Sequence, residues 1–202
     1  ENGGELNYGE LLKQESKYDP IHSTTSLAYR IQVMVFNGLL TFDRDSNPIP
    51  QLTRLTREEL QNYTPINGII YQFPLRYDIQ WHGGQPFTAY DVLFTYLAMR
   101  NSPTTREMVD FIAEARVTDD YTIEFTLKAP ILNAFGWLAF PIIPHYPFVP
   151  DREEIRPDNP ACQVPELHNF VAGPIGTGPY RFDPAALTGS SNEVRLLVNE
   201  ND

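Results

Sequence analysis

The chain has 202 residues, and its 15 Lys and Arg against 26 Asp and Glu give a formal net charge of −11. A surface for nucleic acid needs a basic stripe, and no such stripe runs through this sequence, which argues against a nucleic-acid partner. Apolar residues at 42%, in a chain long enough to bury roughly 70% of its extended surface, exclude a disordered or collagen-like polymer. The unusual counts are 18 prolines, 11 tyrosines and 12 phenylalanines, which imply rigid connections and an aromatic interior or cleft. A single cysteine, Cys162, leaves no internal disulfide and no cysteine-based zinc site. His168 follows it across Pro165, without a signature around the thiol, so Cys162 reads as a buried side chain. No apolar run reaches the roughly 18 residues of a membrane span; the stretch from Ile131 to Ile143 is interrupted by Asn133, Gly136 and Pro141.

Along the chain, residues 5–12 alternate weakly and predict a short strand, ended by Tyr18-Asp-Pro, since the residue before proline avoids helix. Apolar positions at Leu27, Ile31, Met34 and Val35 predict a helix, with Gly38 as its C-terminal cap. Leu39 to Phe42 begins a strand, followed by a turn-rich stretch from Asp43 to Pro48. Ile69, Tyr71, Phe73 and Leu75 alternate with other residues as in a half-buried strand, which Pro74 confines to a sheet edge. Trp81 to Pro86 is a tight loop. Thr88, three residues before Asp91, forms a capping pair for a helix over 89–99. A second helix is expected over 105–115, with Met108, Phe111, Ile112 and Ala115 on one face.

Residues 116–128 read as a hairpin, Ile123, Phe125 and Leu127 facing one way. The proline- and aromatic-rich stretch 130–150 is a winding connection with a short helix near 133–140. Residues 151–169, acidic and without period, read as an exposed loop. Strands are expected at 178–182 and 193–198. Elements mixed in this order indicate an α+β fold.

Seven segments, in order, resemble the family 5 extracellular solute-binding proteins, the oligopeptide-, dipeptide- and nickel-binding receptors of ABC importers. They are Tyr18-Asp-Pro; Val35-Phe-Asn-Gly-Leu-Leu with Phe42-Asp; Asn47-Pro-Ile-Pro-Gln-Leu; Tyr71-Gln-Phe-Pro-Leu-Arg; Trp81-His-Gly-Gly-Gln-Pro-Phe-Thr-Ala-Tyr-Asp-Val; Asp120-Tyr-Thr-Ile-Glu-Phe-Thr-Leu-Lys-Ala-Pro; and Gly176-Thr-Gly-Pro-Tyr. The sequence departs from the pattern at Gly83, where an Asp is usual, and at Arg57-Glu-Glu, where a Trp is usual.

The resemblance implies a partial lobe of a type II periplasmic-binding-protein-like fold, with a mixed sheet and a smaller satellite α/β domain. Residues 1–41 and 170–202 would belong to the first ligand-binding lobe, 42–148 to the satellite domain and 149–169 to an exposed connecting loop. It implies a peptide or similar small solute as ligand, with nickel complexes and sugars behind peptides. It further implies a membrane permease as partner, a second lobe outside this chain, and a periplasmic or cell-surface location with anchoring as a lipoprotein. No signal segment stands at the start of the chain. Ligand contacts are expected from Glu15, Ser16 and Tyr18 and from the aromatic connector through Trp137 and Phe140. Catalytic residues, metal ligands and cofactors are not expected: His22, His82, His145 and His168 lack ligand spacing, and His82 has no nucleophile at a readable distance. A solute-sensing domain of a transcriptional regulator would share the fold.

Overall fold

The computed structural model describes residues 18–23, 25–163, 174–183 and 194–199; the strand expected over 5–12 and the segments carrying Glu15, Ser16 and His168 lie outside them. The architecture is α+β. Helix α1 (Ser26–Val35) starts where the Thr25 side chain accepts the Ala28 N–H. It buries Ala28, Ile31, Gln32 and Val35. It ends at Val35 with Phe36 extended, so Gly38 is not its cap. Gly38 instead bridges to Pro141, packed against the carbonyls of Ala139 and Phe140.

Strands β1 (Leu40–Phe42) and β2 (Pro48–Pro50) form a hairpin closed by Asp43, whose carboxylate accepts the N–H groups of Asp45 and Asn47. Helix α2 (Arg57–Gln61) follows, and Thr56 and Glu59 close a reciprocal capping box at its start. The Thr-x-x-Glu signature for this helix stands openly in the sequence.

The main sheet is β3 (Ile70–Pro74), β5 (Thr122–Leu127) and β4 (Ile112–Asp119) in that order, antiparallel throughout. Its inner face carries Phe73, Ile123, Phe125 and Leu127, all buried. A polar row crosses the three strands on the other face. Gln72 donates to Glu124 at 2.6 Å and Arg116 donates to its other oxygen at 2.7 Å, and these two hydrogen bonds hold the Glu124 carboxyl below its usual pKa. Residues 105–115 form only one helical turn, α4 (Arg106–Val109), before the chain becomes β4. Met108, expected on a buried face, is exposed. Register shifts in β4 at Ile112/Glu114 and Val117/Asp119 break its alternation, which is why its apolar residues mimic a helical spacing.

Helix α3 (Ala89–Asn101) is buried around most of its circumference, as befits a helix apolar on several faces. It packs against β4, β5 and the short helix α6 (Pro160–Gln163). Tyr96 meets Phe125 edge-on and Phe94 stacks on Phe148 at 5.5 Å. The connector after β5 carries α5 (Ala134–Leu138). Beyond it, residues 151–163 hold a 3-10 turn (Arg152–Glu154) and α6 rather than a loop alone, and they bury Ile155 and Cys162. A second antiparallel pair, β6 (Tyr180–Phe182) and β7 (Leu196–Val198), lies against α1. All four strand pairings among the described residues are antiparallel.

Strand β3 is the sheet edge, as Pro74 demands, and its outer side is covered residue by residue. Ile70 exchanges two hydrogen bonds with Ile66, and the Pro74 carbonyl accepts from Arg54 N–H at 2.9 Å. Between them the Tyr63 hydroxyl accepts the Gln72 N–H at 2.7 Å and donates to the Gln72 carbonyl at 3.1 Å. One side chain thus replaces a neighbouring strand and blunts the edge. Tyr63→Phe removes both bonds without altering ring packing. We expect a loss of about 1–3 kcal/mol in denaturant unfolding; an unchanged midpoint contradicts the capping role.

Candidate functional site

The N-terminal side of the candidate ligand face begins at the Tyr18-Asp-Pro turn. Asp19 accepts the N–H groups of Ile21 and His22 at 3.0 and 2.8 Å, and faces His22 Nδ1 at 3.0 Å. Gln32 of α1, itself buried, reaches over to donate to the carbonyls of Asp19 and Ser23 at 3.1 and 2.8 Å. Ser102, at the end of α3, donates to the Ile21 carbonyl at 2.9 Å. This network places Tyr18 half-buried, with its ring 5.9 Å from that of Phe182 on β6.

The chain returns at residues 174–183 and crosses the end of α1. An added Cβ on Gly176 would overlap the Val35 carbonyl, and one on Gly178 would lie 2.7 Å from the Met34 oxygen and 2.8 Å from the Val35 oxygen. The absence of a side chain at both positions lets the two backbones touch. The contact is sealed by Gly178 N–H donating to Val35 O at 2.8 Å and by Asn37 Nδ2 donating to Thr177 O at 3.1 Å.

His82 closes the crossing from the other side. Its backbone N–H donates to Gly176 O at 3.0 Å, its Nδ1 accepts from Gly176 N–H at 3.2 Å, and its Nε2 lies 2.9 Å from the Gly178 oxygen. A carbonyl only accepts, so Nε2 carries the proton and the ring is held as the neutral Nε2–H tautomer. Both ring nitrogens serve as chain ties, which explains the histidine without any base chemistry.

The connector docks on the same junction, Ile142 N–H donating to Asn37 O at 3.0 Å. Of its two expected ligand residues, Trp137 is 53% exposed and leans on Phe111 at 6.2 Å. Phe140 is 3% exposed and meets Phe125 edge-on, so it underpins the connector from inside. Phe140 belongs to the main hydrophobic core and Tyr18 packs against it, Trp137 stands exposed, and Glu15 and Ser16 fall outside the described residues.

The sequence reading of Asp91 as a helix-capping residue accounts for only part of its role. One carboxylate oxygen accepts the Thr88 N–H at 2.8 Å, and the other accepts the His145 N–H at 2.9 Å. It therefore pins the connector to the start of α3 while almost wholly buried. Burial pushes its pKa above the ordinary 3.8, and the charge of His145 and the hydrogen bonds pull it back only in part. Trp81 Nε1 approaches the same carboxylate too loosely for a direct bond, yet close enough to lower its pKa. Burial and the nearby Asp91 raise the Tyr146 phenol to about 12.

Elsewhere, Cys162 is buried and its burial pushes the thiol up, away from the reactive thiolate form. Among the described residues no group of three or more His, Cys, Asp or Glu is placed to hold a metal ion. No described helix is long and apolar enough to cross a membrane.

Because Asp91 titrates higher in the folded state than in the unfolded one, the native state binds the extra proton between 3.8 and the folded value. Its contribution to stability is complete below 3.8 and declines as pH rises through the folded pKa. The amide of an Asp91→Asn variant does not titrate. The stability of the wild type relative to that variant should therefore fall as pH rises from about 4 to about 7, read by denaturant titration. A difference that rises over that range contradicts the assignment.

Residues 62–201 match the family described as bacterial extracellular solute-binding proteins, family 5 Middle. Among curated relatives, Protein XP55 of Streptomyces lividans is 30% identical over 170 residues, covering 83% of this chain and 27% of its own length. The glutathione-binding protein GsiB of Pectobacterium atrosepticum is 26% identical over 169 residues, 81% of this chain and 29% of its own. The oligopeptide-binding protein AppA of Bacillus subtilis, solved with a nonapeptide, shares the fold at TM-score 0.69 and 21% identity, over 90% of this chain and 34% of its own. NikZ of Campylobacter jejuni, solved with Ni(L-His), does so at 0.68 and 23%, over 94% and 34%. The chain thus spans roughly a third or less of the relatives it matches. With its fold and 140 of its positions matched in this way, the chain belongs to the bacterial extracellular solute-binding proteins of family 5.

Proposed function

We propose that this chain supplies part of the receptor of an ABC importer, which binds peptides or related small solutes outside the cytoplasm and hands them to a membrane permease. The observation that carries the reading is the family match over residues 62–201, and the name of the glutathione-binding relative and the peptide complex of AppA favour a peptide-like solute. In this reading residues 1–41 and 170–202 belong to the first lobe and 42–148 to a satellite domain, with 149–169 connecting them. The packing of α1 on β6 and the bond between Gly178 and Val35 support that grouping of the two ends. The receptor acts in the periplasm or at the cell surface and carries out no catalysis.

Tyr18 and Trp137 are the residues assigned to touch the solute, with Glu15 and Ser16 beside Tyr18 in sequence and Phe140 supporting the connector that carries Trp137. Tyr and Trp suit such a face because each joins an apolar ring to a polar tip. A two-lobed receptor gathers its contacts by closure. A micromolar complex is worth about −8 kcal/mol, so a chain holding half of the contacts or fewer should bind at about millimolar strength or weaker.

Trp137 and Trp81 are the two tryptophans of the chain, and only Trp137 is exposed. Titration with trialanine should therefore shift the Trp137 indole resonance and the Tyr18 amide with a Kd of about a millimolar or weaker, leaving buried Trp81 still. Micromolar affinity overturns the partial-site reading, and no saturable shift at either residue overturns the site assignment.

A further inference from the structure

A second concave site shares helix α5 with Trp137 but is lined by other residues. It is an open groove of about 530 Å³ between the β1–β2 turn, α2, β3 and the start of α5. Its floor is aromatic. Tyr63 and Tyr71 stack at 5.7 Å with their planes 10° apart, and Phe135 stands edge-on to both at 5.5 and 5.9 Å. The two hydrogen bonds between the Tyr63 hydroxyl and Gln72 lock that ring in place, so the platform exists before any ligand arrives and costs little to order.

The lining also includes three amide residues, Asn47, Gln61 and Asn133. Asn47 turns its Nδ2 toward Asp43, 3.3 Å from each carboxylate oxygen, leaving its amide oxygen to offer. Gln61 and Asn133 are exposed, and Asn133 holds the left-handed φ of 58° at the entry to α5. Among the described residues no charged side chain lines the groove, although the chain carries −11 overall.

We propose that this groove is a binding site for a neutral saccharide. Such a ligand lays the C–H face of a sugar ring on the aromatic floor while its hydroxyls, in the ring plane, exchange hydrogen bonds with the amides. Aromatic rings beside a few polar groups that fix orientation suit a small ligand of that kind. A free peptide is zwitterionic, and the described lining offers no charged partner for either terminus. The reading of this groove does not rest on the solute face proposed above.

The test is an NMR titration of the 202-residue chain with maltose, run alongside trialanine. Maltose should produce saturable shifts at Gln61, Tyr63, Tyr71 and Phe135 while leaving Trp137 unmoved. Gln61→Ala, at an exposed position, should weaken binding about threefold to tenfold, the value of one neutral hydrogen bond. Phe135→Leu should weaken it at least as much, and its thermal unfolding curve verifies that the fold survives. The proposal is overturned by the absence of a saturable shift at about 0.1 M maltose, by shifts that neither variant reduces, or by trialanine moving the same residues as strongly.

Discussion

The structure turns on a place where two backbones meet with nothing between them. Gly176 and Gly178 press on the carbonyls that end α1, at a distance that any side chain would prevent. From that contact follow the position of β6, the approach of Phe182 to Tyr18, and the use of both His82 ring nitrogens as ties to the returning chain. The connector joins the same point through Asn37, which accepts from Ile142 through its backbone and donates to Thr177 through its side chain. Segments far apart in sequence are thereby gathered at one end of α1.

Asp91 plays the corresponding part at the start of α3. A buried carboxylate is costly unless its oxygens are satisfied, and here two oxygens serve two separate pieces of chain, Thr88 and His145. The residues that first suggest chemistry, His82 and Asp91, are both consumed in holding backbone. In the proposed receptor there is no bond to break; what it needs is a face that keeps its shape. The aromatic groove at Tyr63, Tyr71 and Phe135 follows the same rule, since its platform is rigid because Tyr63 also closes the edge of β3.

Much of the fold was legible where local and global signals agree. Tyr71 and Phe73 alternate along β3, and Ile123, Phe125 and Leu127 along β5, because each of those strands has one buried face. Thr88 and Asp91 mark the start of α3 by a side-chain signature that depends only on spacing. The family resemblance was legible too, since its motifs are the turns and ties just described. Residues 105–115 misled because register shifts in β4 gave a strand the apolar spacing of a helix. Helix α2 was announced by Thr56 and Glu59 and passed over among charges. The second role of Asp91 and the edge-capping role of Tyr63 depend on partners 54 and 9 residues away, and no local pattern encodes such pairings. The proposed ligand face is the least legible part, because nothing in the sequence around Tyr18 and Trp137 distinguishes an exposed ring from a core ring.

The central claim is that the end of α1, the returning chain and the connector form one rigid unit. Amide hydrogen exchange on Gly178, Ile142 and His145 tests it most directly, since their N–H groups make the ties to Val35, Asn37 and Asp91. The account predicts protection of all three close to that of the core strands, lost only with global unfolding. Exchange of Gly178 and Ile142 at the rate of an open loop, with β5 still protected, would contradict it.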